Sequence, residues 1–532
     1  MYRSPAETKA IPLGNKPYAN AIISLGVEQC HNMFLEHSQS ENSKAEYYLI
    51  KIPGLKRFGS IPSVNLGACR CAYRSLLTNR VFMVFGSSVY EIVADGSRSF
   101  IGFLRTFTGP VKMADNGKLL MLVDGDAGYI IRMFDDSIPP QPDQTFTRIR
   151  DQYFPGVAAG TLAPTFVTFI NTYFVINNPA TNQYYWSWSY YVYNEANVDH
   201  PYDPAHIDGY WTPLNSGAKI GQADNINALA NCNNYLWLMG TNSSEVHYDS
   251  GDYNGQQFKR YEGAVLNIGC NAPFSLATYQ NSLFFLGTDT VGTLGVFTNA
   301  GGMEPVRIST RGIEQIIEGM GVWSDCTAYC YAQSGHSFYV MQFPTASRTL
   351  VYDVVTNAWH ERTKLIQATG LLQRWDGMYA VESPWDRLLI GDASSSTTYT
   401  LDPLYYQNDN PADSGVNYIR CVKTTPIAFS LGVRIAYYWA QVICNQGSGT
   451  PVDTAAGVGQ NPSVQVSWAE FGQPPWSDEQ SAPIGRQGQT TVRSRVLAGG
   501  SGINRQYRIA MTDPVPFILV ALLVSARPAR WG

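Results

Sequence analysis

Short apolar runs recur along the chain, and residues typical of turns precede most of them. The seven runs lie at residues 81–86, 119–125, 173–177, 235–240, 283–287, 338–343 and 387–391. Their starts run from residue 81 to residue 387 in six steps, a mean spacing of about 51 residues. This period matches a β-propeller blade, in which a four-stranded sheet takes about 40–50 residues.

Further apolar segments flank several of these runs and complete hairpin patterns. Three lie upstream, at 166–170, 228–232 and 328–332, and others downstream, such as 87–93, 243–249 and 349–355. Strands joined by Gly- and Asn-rich turns predict hairpins. The pattern therefore predicts an all-β fold with a propeller of six or seven blades.

The segment 349–362 carries a sharper blade signature, in which Tyr-Asp is followed by a turn and Asn-x-Trp. It resembles the outer hairpin of kelch-type blades. We expect Tyr352 and Trp359 to pack between blades, with Thr356 and Asn357 in the turn.

Two regions lie outside the repeat and predict a second unit. We expect residues 1–65 to form an N-terminal arm and platform segment, 66–404 the propeller, 405–415 a linker and 416–532 a C-terminal β domain. Within the last segment, the Gly-rich residues 445–463 read as a loop that is mobile or ordered by a partner. The apolar stretch 517–526 is about half a membrane span, so we expect buried strand and no membrane insertion.

Composition agrees with strands, turns and covered surfaces. Charged residues make up only 15% of the chain, whereas Tyr (33) and Gly (47) are abundant. Tyr is enriched and Lys and Glu are depleted at protein interfaces. The net charge is −5 and no sizeable basic run occurs, which disfavours tight binding to a nucleic-acid backbone.

No constellation of residues predicts catalysis, a cofactor or a metal ion. Nine scattered cysteines lack zinc-site spacing, and we expect Cys69 and Cys71 to face one side of a strand. Asp124 and Asp126 fit a turn, and the loop with His200 and His206 fits an ordered insertion within 189–222. We therefore predict no enzyme, no cofactor and no catalytic, cofactor-binding or metal residues.

Two segments resemble the tail hub or nozzle proteins of short-tailed bacteriophages, also called packaged-DNA stabilisation proteins. The matching elements are Asn32-Met33-Phe34, Glu36, Tyr47-Tyr48, Pro53-Gly54-Leu55, Arg74, the hairpin Gly86 to Tyr90, the Arg307-Ile308-Ser309-Thr310 strand and the helix from Gly312 to Glu318.

The resemblance implies a structural virion protein, assembled in the host cytoplasm. Such hubs form a homohexameric ring below a head-to-tail adaptor ring, extend the DNA channel, hold tail fibres or tailspikes and are plugged by a tail needle. Double-stranded DNA would pass through the lumen without sequence-specific binding. Two alternatives stay open: a carbohydrate-binding or carbohydrate-cleaving propeller, and a kelch-like scaffold.

Overall fold

The structure, a computed structural model, describes residues 7–13, 17–18, 28–38, 45–60, 64–133, 146–158, 160–188, 211–252, 256–411, 415–426, 434–450, 458–470 and 474–529. They form β-strands with one α-helix, α1 (Arg311–Glu318), and one 3-10 turn (Pro273–Ser275). Thr310 caps α1, because its side-chain oxygen accepts from the backbone N–H of Ile313.

The strands, in chain order, are β1 (Glu7–Pro12), β2 (Cys30–His31), β3 (Met33–His37), β4 (Tyr47–Lys51), β5 (Leu55–Arg57), β6 (Cys69–Ser75), β7 (Arg80–Phe85), β8 (Ser88–Ile92), β9 (Arg98–Phe103), β10 (Lys112–Asp115), β11 (Leu119–Val123), β12 (Gly128–Arg132), β13 (Phe146–Arg148), β14 (Val167–Ile170), β15 (Tyr173–Asn177), β16 (Gln183–Trp186), β17 (Ser216–Ala218), β18 (Ala228–Cys232), β19 (Tyr235–Met239), β20 (Ser244–Asp249), β21 (Phe258–Leu266), β22 (Ile268–Gly269) and β23 (Ala277–Tyr279). They continue with β24 (Ser282–Asp289), β25 (Leu294–Thr298), β26 (Val306–Arg307), β27 (Thr327–Gln333), β28 (His336–Phe343), β29 (Arg348–Asp353), β30 (Ala358–Glu361), β31 (Thr363–Ile366), β32 (Leu371–Arg374), β33 (Gly377–Glu382), β34 (Leu388–Asp392), β35 (Thr398–Leu401), β36 (Gln407–Asp409), β37 (Val416–Tyr418), β38 (Cys421–Thr424), β39 (Ile435–Cys444), β40 (Ser463–Glu470), β41 (Gln480–Pro483), β42 (Arg495–Val496), β43 (Gly500–Gly502), β44 (Arg505–Met511) and β45 (Ile518–Pro528).

Seven sheets follow one another around a common tunnel and form the predicted propeller. Six of them are built from continuous chain: β6–β9, β10–β13, β14–β17, β18–β21, β22–β26 and β27–β30. The seventh combines β33, β34 and β35 with β5 from near the N-terminus. We number these blades 1 to 7. The seven apolar runs of the sequence are the second strands of the blades, β7, β11, β15, β19, β24, β28 and β34. Their residues are almost all buried, because each lies between two neighbouring blades.

The seventh blade closes the ring with a strand that lies far away in sequence. β5 pairs antiparallel with β35, with Lys56 opposite Thr400. The sequence predicted that residues 1–65 lie outside the propeller. The structure differs, because β5 within this segment is a strand of the seventh blade. A three-residue strand has too little periodicity to show where it pairs.

The segment predicted as a linker, 405–415, packs on β5. The backbone N–H of Gly54 donates to the Tyr405 carbonyl (2.6 Å), and that of Leu55 donates to the Asn408 side chain (2.9 Å). β36 then forms a hairpin with β37. The described part of this segment is therefore held by hydrogen bonds to the seventh blade.

The two ends of the chain together form a second unit, the platform, which consists of two sheets. One sheet contains β1, β3, β4, β39, β42, β43 and β45. The other runs β2-β38-β44-β40-β41 and continues blade 6, because β2 pairs parallel with the outer strand β30. Buried side chains of blades 5 and 6, such as Leu286 and Met341, belong to the same hydrophobic core as Val442 and Leu522 of the platform.

Gly54 provides a test of how the seventh blade is closed. A Cβ at residue 54 would collide with the backbone of Gln407, which cannot move without breaking its contacts to β5. We expect Gly54→Ala to cost about 1–3 kcal/mol, as overpacking does, and to lower the melting temperature in scanning fluorimetry. Gly499→Ala is the matched control, because a Cβ there meets no atom within 4 Å. Equal melting temperatures for both variants would contradict this arrangement.

Candidate functional site

The propeller tunnel is the first place to search for a site. All seven inner strands line a cavity of about 650 Å³, a volume typical of small-ligand cavities. Lys112 of blade 2 reaches across it, and its Nζ donates to the carbonyl of Leu276 at the start of blade 5 (3.3 Å). The same ammonium lies 5.2 Å from the centre of the Phe166 ring. The tunnel is therefore crossed by a side chain and is far too small for a nucleic-acid duplex.

Lys112 is a partly buried amine that contacts a backbone carbonyl and an aromatic ring. Burial lowers the pKa of its ammonium, and it forms no ion pair with a carboxylate among the residues that the structure describes. Asp115, on the same strand, accepts instead from the Tyr73 hydroxyl (2.7 Å). The amine in the tunnel is thus held by a carbonyl and a ring, and no described carboxylate binds it.

The junction between propeller and platform contains a buried cluster of charged groups. His336 of blade 6 contacts Asp353 through Nδ1 (2.7 Å) and Glu36 of the platform strand β3 through Nε2 (2.9 Å). Burial lowers the pKa of His336, but the hydrogen bonds to Asp353 and Glu36 outweigh it and raise the pKa to about 9. The imidazolium therefore links the two units near neutral pH.

A second ionic contact lies where β2 meets β30. The Tyr18 hydroxyl donates to Glu361 (2.8 Å), and Arg348 binds both oxygens of that carboxylate, at 2.6 and 3.1 Å. Burial raises the pKa of Glu361, but neighbouring His31, Arg348 and Tyr18 bring it below its ordinary value. This carboxylate stays ionised and holds the N-terminal segment against blade 6.

Two expectations about individual side chains have clear outcomes. Tyr352 and Trp359 lie in a buried core as predicted, with ring centres 5.1 Å apart, and the Trp359 indole N–H donates to Ile308 of the neighbouring blade. The prediction for Cys69 and Cys71 is wrong. A β-bulge between them breaks the alternation, so Cys69 packs towards blade 7 and Cys71 towards blade 2.

The other polar residues singled out in the sequence form no site in the described structure. Asp124 accepts from the backbone N–H groups of Asp126 and Ala127, as a turn requires. His200 and His206 lie outside the described residues. Among the residues that are described, no three His, Cys, Asp or Glu side chains are grouped as a metal ion requires. No helix of the described chain is long and apolar enough to cross a membrane.

These features define a class of protein, a seven-bladed β-propeller with a sheet platform built from both chain ends. A family model described as "Bacteriophage P22 Gp10, beta-propeller" matches residues 28–405. The chain belongs to this family of phage structural proteins. The match confirms the resemblance on which the sequence analysis relied.

Similarity to other known proteins is weak. No curated protein matches the chain. Solved propellers that are similar include the Pan2 WD40 domain of Neurospora crassa, at 11% identity and a TM-score of 0.37, covering 69% of this chain and 97% of that one. An exo-beta-1,3-galactanase of Phanerochaete chrysosporium has 10% identity and a TM-score of 0.27, with 78% and 95% covered. Likenesses this weak carry no argument about function.

The cluster around His336 predicts a pH dependence of stability. Its folded-state pKa of about 9 lies above the ordinary value of 6.5, so its contribution is complete below about pH 6.5 and is lost as the pH rises through 9. We expect His336→Gln to lower stability by about 2 kcal/mol at pH 6 and by progressively less from pH 6.5 to 10. Melting temperatures of both proteins across this range measure the difference.

Glu36→Gln is a useful companion variant, because it removes one of the two carboxylates without removing the ring. If the stability difference between wild type and His336→Gln were constant from pH 6 to 10, the imidazolium would not stabilise the junction.

Proposed function

We propose that this chain is the tail hub, or nozzle, of a short-tailed phage. It would extend the DNA channel below the head-to-tail adaptor, retain packaged DNA and dock tail fibres or tailspikes. The observation that carries this proposal is the family match over residues 28–405, which covers the propeller and the segment leading into it. In the described part of the chain, a side chain crosses the propeller tunnel and no metal-ligating side chains are grouped, so nothing there favours a catalytic role over a structural one.

The architecture supports a channel made between copies of the chain. The propeller tunnel cannot be the conduit, because Lys112 crosses it and its volume is about 650 Å³. A homohexameric ring would leave a central lumen for the duplex and place the propellers where other tail proteins reach them. A rigid junction between platform and propeller suits a part that transmits load between adaptor and fibres.

Partners follow from this proposal. We infer a homohexamer in contact with an adaptor ring, a tail fibre or tailspike and a needle or plug, in a virion assembled in the host cytoplasm. DNA would pass through the lumen without sequence-specific contacts. The activity would be structural rather than enzymatic.

Ring formation is the direct test. We expect mass photometry and negative-stain images of the purified chain with an adaptor ring to show six copies arranged around a central hole. The physical reason is that only 15% of the chain is charged, and interfaces between proteins are depleted in Lys and Glu.

The alternatives predict other results. A carbohydrate-cleaving propeller would act on capsule or lipopolysaccharide as a monomer, and a kelch-like scaffold would remain a monomer without acting on either. A monomer that ignores the adaptor would contradict the hub proposal, and polysaccharide cleavage by it would establish the first alternative.

A further inference from the structure

The terminal segments of the chain and its central segment carry opposite net charge. The segments that contain the platform, 1–65 and 416–532, hold 17 Lys and Arg against 10 Asp and Glu. Residues 66–415 hold 20 against 32. The platform segments therefore have a net charge of +7 and the propeller segment one of −12, although the whole chain is only mildly acidic. A separation of this kind indicates that the platform faces a polyanion.

A β-bulge in β39 brings two aromatic rings to the outer face of the platform. Tyr437 pairs with Ala526 and Trp439 pairs with Ser525, so Tyr438 is the extra residue. Tyr437 and Ala440 are buried on the inner side, at 3% and 0% exposure. Tyr438 and Trp439 thus both lie on the outer side, where an unbroken strand would place only one of them.

Two arginines from neighbouring strands lie over these rings. The guanidinium of Arg527 on β45 is 5.4 Å from the centre of Tyr438, and that of Arg495 on β42 is 3.8 Å from the centre of Trp439. Arg495 also donates to the Gln441 side chain (2.9 Å). Stacking restricts both side chains, so they lose less entropy when they bind a ligand.

A third arginine, Arg434, lies immediately before β39. Arg434 donates to the Ser501 hydroxyl (3.0 Å). Ala436, two residues further along, pairs with Ser501 on one side and Arg527 on the other, so these residues share the outer face. We call this surface the Arg–aromatic face; it consists of Arg434, Tyr438, Trp439, Gln441, Arg495 and Arg527.

Carboxylates do not neutralise this face within the described structure. The five strands concerned, β1, β39, β42, β43 and β45, contain one acidic residue, Glu7. Glu7 is exposed, but it pairs with Ala526, which is opposite the inward-facing Tyr437 on the other side of β45, so the register places Glu7 on the other face of the sheet from Tyr438 and Arg527. Among described residues, Arg434, Arg495 and Arg527 form no ion pair, whereas the platform arginines Arg505 and Arg508 bind Glu470 and Glu479.

The geometry points to the phosphate backbone of duplex DNA as the partner of this face. The guanidinium groups cover the aromatic faces, so a base or sugar ring could not stack on them, but their N–H edges are suited to phosphate oxygens. Arg434, just before β39, and Gln441 on β39 are seven residues apart, roughly 20 Å along the strand direction, which is enough to contact several phosphates. Contacts of this kind bind DNA without reading its sequence.

We propose that the Arg–aromatic face forms the wall along which DNA passes. This inference rests on the proposed function and deepens it, because it assigns the DNA-facing surface to a particular sheet. The sequence contains no run of basic residues, and from this we expected no basic cluster. Strand pairing nevertheless brings together three arginines that are far apart in sequence.

The test compares two triple variants of the full chain that remove the same charge. The first is Arg434→Gln with Arg495→Gln and Arg527→Gln. The control is Arg105→Gln with Arg260→Gln and Arg311→Gln, three exposed arginines of the propeller. Binding of a fluorescein-labelled 30-base-pair duplex is followed by anisotropy between 50 and 200 mM NaCl, and melting temperatures establish that both variants fold.

We expect the first variant to bind about tenfold more weakly than wild type at 50 mM NaCl. The slope of log affinity against log salt should fall by about 2–3, since each lost phosphate contact changes it by about 0.9. The control should bind within twofold of wild type. Unchanged affinity of the first variant, equal losses in both variants or no binding by wild type would each overturn the inference.

Ring formation, measured by mass photometry with the adaptor, separates this inference from the proposed function. If the first variant keeps its DNA affinity but no longer forms rings, the face is a contact between copies and the inference is wrong, while the hub proposal stands. If wild type does not assemble with the adaptor but the first variant loses DNA affinity, the hub proposal fails and the phosphate-binding face is retained.

Discussion

The pairing of β2 between β30 and β38 is the constraint on which the rest of the structure depends. His31 pairs with Glu361 of the propeller on one side and with Val422 of the platform on the other. Asn32 follows with a positive φ of 58°, a conformation that Asn tolerates better than most residues. Its side-chain amide group donates to Thr363 and to the Arg420 carbonyl, and its oxygen accepts from the Thr363 N–H. One short segment thus fixes blade 6, the platform and the N-terminus relative to one another.

Much of the rigidity of the molecule follows from this arrangement. Beyond Asn32, β3 and β4 enter the platform sheet that contains β39 and β45, and β5 completes the seventh blade. The chain therefore cannot close its propeller without also placing its N-terminal strands in the platform. The contacts of His336 with Glu36 and of Tyr18 with Glu361 cross the same junction. A connection between propeller and platform that resists bending suits a part that holds other proteins around a conduit.

The sequence predicted the propeller well, because each blade contains a buried second strand whose apolar run and preceding turn are local signals. It did not predict the partner of β5, since three residues carry no information about a strand that lies more than 300 residues away. It also missed the bulges at Cys69 and at Tyr438, because a bulge depends on the partner strand and not on the residue pattern alone. The Arg–aromatic face was missed for the same reason: its arginines at 434, 495 and 527 form no run. None of these differences tests the prediction that the chain has no catalytic, cofactor-binding or metal-binding residues, so it stays a prediction.

Differential scanning calorimetry of the full chain tests most directly whether propeller and platform are one cooperative unit. Since β2 and β5 belong to both the N-terminal segment and the sheets they complete, we expect a single unfolding transition in which the two units melt together. Two resolved transitions, with the platform strands losing protection from hydrogen exchange while the blades stay folded, would contradict it.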